Sequence, residues 1–78
     1  MDSTLSTIIE IIANNGTGIS AEDITEETNL IDDLNVSSLE SLSIISDIED
    51  EFDIELSNKE VRKLLTVQDI VDIVNSKF

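Results

Sequence analysis

Two adjacent serines, Ser37 and Ser38, are the residues of this chain best placed to do chemistry. Ser37 stands three residues before Glu40, the spacing of a capping box, in which the serine hydroxyl caps a helix and the carboxylate reaches back. Ser38 then falls in the first helical turn, where backbone N–H groups lack intrahelical acceptors and the positive end of the helix dipole lies. A phosphoester on Ser38 would occupy a site suited to an anion. Unmodified, the pair reads simply as two helix-capping serines, a role the residue type favours. Other chemistry is scarce. The chain has no cysteine and no histidine, which excludes Ser-His and Cys-His catalysis, thiolate metal sites, disulfides and the commonest zinc ligands. An enzyme would have to rely on carboxylates, lysines or hydroxyls, so a self-sufficient catalyst is not expected.

The charge balance narrows the partners. Eighteen acids face four bases, giving a formal charge of −14. Residues 1–58 hold 15 of the acids and no base; Lys59, Arg62, Lys63 and Lys77 all lie in the last quarter. Such a field repels phosphate backbones and anionic lipids and attracts basic protein surfaces. Phe52 and Phe78 are the only aromatics, too few for a base-stacking platform. Nucleic acid and stable membrane insertion are therefore not expected. No basic n-region opens the chain, and no apolar run approaches the roughly 18 residues of a membrane span, so the reading is a cytoplasmic protein. A calcium loop among Asp47, Glu49, Glu51 and Asp53 is rejected, because no glycine follows Gly18 and these acids fall on an expected helix. No metal ligand set is assigned.

Around the serines, the periodicity predicts helices. Leu5, Ile8, Ile9 and Ile12 recur at three and four residues and place a first helix over about residues 3–14, stopped by Asn14-Asn15-Gly16. A long connection over 15–36 begins at Gly16 and Gly18. In it, Ser20 and Asp23 have capping-box spacing, and Ile24, Leu30, Ile31 and Leu34 are expected to pin the loop to the core. The second helix is expected over about residues 38–51, with Leu39, Leu42, Ile45, Ile48 and Phe52 on its buried face and Ile44 beside them. Asp53–Leu56 reads as an extended link with Ile54 and Leu56 inward. Ser57/Glu60 starts a short helix carrying Val61, Leu64 and Leu65. Thr66/Asp69 starts a last one to about residue 76, with Val67, Ile70, Val71 and Val74 as its stripe. The 78 residues thus predict a single all-α domain, 1–78: a small four-helix bundle of three longer helices and one short one.

These pieces, in this order, resemble the acyl carrier protein family. The match rests on Leu34-Asn35-Val36-Ser37-Ser38-Leu39, on the long loop before it, and on Glu49-Asp50-Glu51-Phe52-Asp53-Ile54-Glu55-Leu56. Lys63-Leu64-Leu65-Thr66-Val67-Gln68-Asp69 resembles the family's passage from helix three into helix four. In the family the motif is Leu-x-x-Asp-Ser-Leu and its serine carries 4′-phosphopantetheine. That serine corresponds to Ser38, and Ser37 replaces the aspartate.

The resemblance implies a non-catalytic carrier that holds acyl intermediates as thioesters on a covalent arm derived from coenzyme A. The arm supplies the thiol the chain lacks. It implies a phosphopantetheinyl transferase and acyl-transfer or condensing enzymes with basic docking patches as partners, with the carrier monomeric. Positions matching the family's recognition face are Glu40, Leu42, Ser43, Ser46, Asp47 and Asp50. The pathway implied is fatty-acid biosynthesis or a related specialised acyl or polyketide one, the latter because Ser43 and Ser46 stand where a typical fatty-acid carrier has an acid and an apolar residue. Leu42, Ile45, Ile48, Leu64 and Ile70 are the candidate lining for a sequestered acyl chain; an ordinary aliphatic core accounts for the same residues. A carrier for an amino acid, of the peptidyl or D-alanyl type, and an unmodified acidic interaction module are the alternatives.

Overall fold

The computed structural model describes residues 3–15 and 20–77. Its helices are α1 (Ser3–Asn14), α2 (Ser38–Phe52), α3 (Asn58–Val61) and α4 (Val67–Ser76), with a 3-10 turn at Ala21–Asp23. The expected all-α architecture is the observed one. The glycine stop expected after α1 involves Gly16, which lies outside the described residues, as does Gly18.

α1 is the hub. Ile8 and Ile12, one turn apart, are fully buried, and the helix packs most extensively against α4, then against α2 and the 3-10 turn. α4 answers with Val67, Ile70, Val71 and Val74, all buried, as its stripe requires. Ile44 and Ile48 of α2 close the core from the third side, with Phe52 half-buried at its edge.

The long loop is part of the core rather than a tether. Ile24, Leu30 and Leu34 are buried in the main cluster. Ile31 is not: it is 60% exposed, contrary to the expectation that it pins the loop. The reason is a tight turn built on Asn29. Its Oδ1 accepts from the N–H groups of Ile31 and Asp32, both at 2.9 Å, while its own N–H donates to Asp33 Oδ2 at 2.8 Å. In that turn Leu30 and Leu34, four residues apart, face inward and Ile31 points away. Four backbone bonds consolidate the segment. Leu30 N–H donates to the Leu65 carbonyl (2.9 Å), Val67 N–H to Thr28 (3.1 Å), Gln68 N–H to Glu26 (2.8 Å) and Val36 N–H to Leu30 (3.1 Å). The loop before α2 is thus sewn to the start of α4. Asn29→Ala removes an acceptor that serves two N–H groups and should lower unfolding stability by about 1–2 kcal/mol, read from a chemical-denaturation midpoint.

Three of the four expected capping boxes form, at Ser37/Glu40, Ser57/Glu60 and Thr66/Asp69. Ser20 makes no side-chain cap; its carbonyl instead accepts from Asp23 N–H at 2.9 Å, since a three-residue turn is closed by backbone bonds alone. α2 ends at Asp53, whose φ of 54° is left-handed. Glu49 then holds the link that follows, its carbonyl accepting from Ile54 N–H (3.1 Å) and its carboxylate from Leu56 N–H (2.8 Å). Ile54 and Leu56 are half-buried. α3 is shorter than expected. It stops at Val61, so Leu64 and Leu65 lie beyond it, and Leu65 is 51% exposed. α3 buries no residue fully; Lys77 near the C-terminus clasps Glu60 at 2.9 Å.

Candidate functional site

Ser38 is the first residue of α2, immediately after the cap. The Ser37 hydroxyl accepts from Glu40 N–H at 3.2 Å and the Glu40 carboxylate accepts from Ser37 N–H at 3.0 Å, so the expected box is complete. Asn35, two residues before the cap, takes a left-handed φ of 52° and turns the chain into the helix. The Asn29 turn fixes the approach from the other side. Ser38 is therefore set at its register by bonds on both sides, at the end of a helix whose first N–H groups are available to an anion.

Ser37 N–H, then the Ser37 hydroxyl, hold the Glu40 carboxyl below the usual carboxylate range. Ser57 N–H and, after it, Lys77 do the same for Glu60. A carboxyl depressed in the folded state contributes stability above its unfolded pKa and loses it as pH falls through the folded value. Thus Glu40→Gln and Glu60→Gln should lower the thermal midpoint at neutral pH. The deficit should vanish once the medium is well below the ordinary glutamate pKa of about 4.3.

The helix that follows carries two faces. Ile44, Ile45 and Ile48 are buried; Leu39, Leu42, Ser43, Ser46, Asp47 and Asp50 are exposed, and Glu40 is intermediate. This corrects the expected buried face: Leu39 is 78% and Leu42 63% exposed. Steps of three residues fall about 60° short of a full turn, so the row Leu39, Leu42, Ile45, Ile48 winds from the solvent side of α2 to the core side. The exposed face is graded: Leu39 and Leu42 near Ser38, the hydroxyls of Ser43 and Ser46 in the middle, Asp47 and Asp50 at the far end. An open groove lined by Ile31, Val36, Ser37, Ser41 and Leu42 lies beside the helix start. Sequence reading missed Leu39 and Ile31 as surface groups; leucines spaced at three residues alone, without four-residue partners, were the available signal.

Asp47 accepts from Asn15 Nδ2 at 3.0 Å, clipping the end of α1 to α2. Asp47 and Asp50 line a second open groove with Ile11, Asn14 and Glu51. Among the described residues no cluster of three or more His, Cys, Asp or Glu is arranged to hold a metal ion. Diffuse screening still acts on a chain of −14. Millimolar magnesium should raise the thermal midpoint modestly over sodium chloride at matched ionic strength.

The five acyl-lining candidates do not share one environment. Ile48 and Ile70 are fully buried, Ile45 is 9% exposed, Leu64 is half-buried in a groove beside α4, and Leu42 is on the surface. Leu42 therefore leaves the set of interior residues. It belongs with the exposed face.

A family model described as the phosphopantetheine attachment site matches residues 6–74. The chain belongs to the acyl carrier protein family. An acyl carrier protein of Thermosynechococcus vestitus is 35% identical over 69 residues, covering 88% of this chain and 85% of the relative. A solved structure of an acyl carrier protein from Enterococcus faecalis superposes with a TM-score of 0.81 at 33% identity, covering 97% of this chain and 95% of that one. A putative acyl carrier protein from Mycobacterium tuberculosis gives 0.87 at 31% identity, covering 96% and 99%.

Carriers of this family hold 4′-phosphopantetheine covalently and deal with a phosphopantetheinyl transferase and acyl-handling enzymes. The residues at the start of α2 fit such a group. The helix end offers N–H groups to a phosphate, and the flanking Ser37 and Leu39 are exposed. No helix among the described residues is long and apolar enough to cross a membrane.

Proposed function

We propose that Ser38 is the residue that carries 4′-phosphopantetheine, and that the 78 residues form one acyl carrier domain serving fatty-acid or a related specialised acyl or polyketide biosynthesis. The observation that carries the assignment is the capping box. Ser37 is committed to the helix cap through bonds of 3.0 and 3.2 Å with Glu40, which leaves the next serine for chemistry. When attached, the group supplies the thiol on which acyl cargo is held. The chain's own residues do the rest. The Asn29 turn and the Ser37 cap hold the attachment point at the helix start; Leu39 and Leu42 offer apolar contact next to it; Asp47 and Asp50 offer charge to basic partner surfaces. Ser43 and Ser46 make the middle of the face polar and uncharged, which supports partners whose basic groups gather toward the far end of α2.

The cargo chain has its natural retreat between α2 and the α3–α4 side, near Ile45, Ile48, Leu64 and Ile70. α3 is held there by surface bonds and buries no residue fully. A chain of −14 also repels its own copies, which supports a monomer. The test is intact mass after incubation with coenzyme A and a broad-specificity phosphopantetheinyl transferase. Gain of one phosphopantetheinyl group is the expected result. No gain would leave an unmodified acidic interaction module as the better reading.

A further inference from the structure

We infer that the turn built on α3 is a second docking element of opposite sign to α2, so that this carrier's partner enzymes present carboxylates to α3 and basic groups to α2. The inference rests on the carrier reading above and concerns the partner surface that reading requires. Lys59, Arg62 and Lys63 are all exposed, and their spacing of three and four residues puts them side by side on one helical turn. The turn persists past Val61, because Arg62 N–H donates to the Asn58 carbonyl and Lys63 N–H to that of Glu60, both at 3.1 Å. Leu65, 51% exposed, stands just beyond them as an apolar neighbour.

In a chain with 18 acids and four bases, each cation has many carboxylates to choose from. Lys77 takes Glu60 at 2.9 Å. The other three pair with no carboxylate among the described residues, although Lys63 shares a groove with Asp69 and Asp72. They are left for something outside the fold.

Charge arrangement of this kind governs specificity and register more than affinity. The −14 field draws basic partner surfaces from all directions; the α3 turn is where such a surface meets local repulsion. A partner with basic groups over α2 and acidic groups over α3 is turned into one orientation, and a uniformly basic one is turned away. A standard interface takes about 800 Å² from each partner. Against a total of 4987 Å² on a body of 29 × 29 × 19 Å, one such footprint is a large share of the surface, and only residues 53–57 separate α2 from α3 along the chain.

The test is an NMR titration of the isotope-labelled full chain, at low salt, with a short oligoglutamate and separately with a short oligolysine. Oligoglutamate is expected to shift amides between residues 58 and 65 and leave α2 unmoved; oligolysine should do the reverse. The triple variant Lys59→Gln, Arg62→Gln, Lys63→Gln is expected to lose the oligoglutamate response and keep the oligolysine one, which also shows that it is folded. An unchanged oligoglutamate response in that variant, or none in the parent, overturns the two-signed footprint. Failure of the parent to gain mass with coenzyme A and the transferase overturns the carrier reading instead, and the peptide titration separates the two outcomes.

Discussion

Ser38→Ala is expected to abolish the gain of a phosphopantetheinyl group completely, while Ser37→Ala keeps it. The two serines are adjacent and chemically identical, so only their places in the helix start distinguish them. Ser37 adopts the extended backbone of a cap residue and exchanges bonds with Glu40; Ser38 is the first helical residue. Losing the Ser37 hydroxyl should cost about 1 kcal/mol of stability, while the backbone N–H of residue 37 continues to donate to Glu40. Loading should slow at most. Ser38→Ala leaves the box intact, so its thermal midpoint should match the parent and its failure to load is chemical. Intact mass and far-UV thermal melts on the two variants check both halves. Loading blocked by Ser37→Ala alone would shift the attachment point by one residue.

The second large effect is on folding. Ile48→Ala, at a fully buried position, should lose about 2–5 kcal/mol, the usual cost of an isoleucine cavity. A 78-residue domain has about 4–12 kcal/mol to lose, so this one change removes a large part of the stability. Leu42→Ala, six residues earlier on the same helix but 63% exposed, should stay within about 0.5 kcal/mol. Urea denaturation, compared by midpoint at unchanged slope, distinguishes them. Equal losses at the two positions would contradict the assignment of Leu42 to the docking face.

That pair shows how far patterning reaches. The bounds of α1, the three capping boxes and the stripe of α4 could be read directly because each depends on residues within one turn of each other. The face of α2 could not. Apolar residues at 39, 42, 44, 45, 48 and 52 spread over more than half of the helix circumference, too wide an arc for periodicity alone to say which part of it meets α1. Ile31 was misplaced for a related reason: the four apolar residues of the loop look alike until the Asn29 turn assigns them sides.

The candidate site divides in the same way. The serine, its cap and the anion-friendly helix start are consequences of local sequence, since Ser37 and Glu40 need only each other to form their box. The family resemblance, carried by short motifs in order, was legible for the same reason. Contacts between segments far apart in the chain were not. The loop sewn to Leu65 and Val67, the Asn15 clip on Asp47 and the Glu60–Lys77 clasp each join residues more than a dozen positions apart. None leaves a periodic signal. Those long-range bonds and the packing of α1 set the orientation of α2, and with it which leucines meet a partner and which isoleucines meet the core. Local hydrogen bonding wrote the start of the helix; burial, which depends on every other element at once, chose its face.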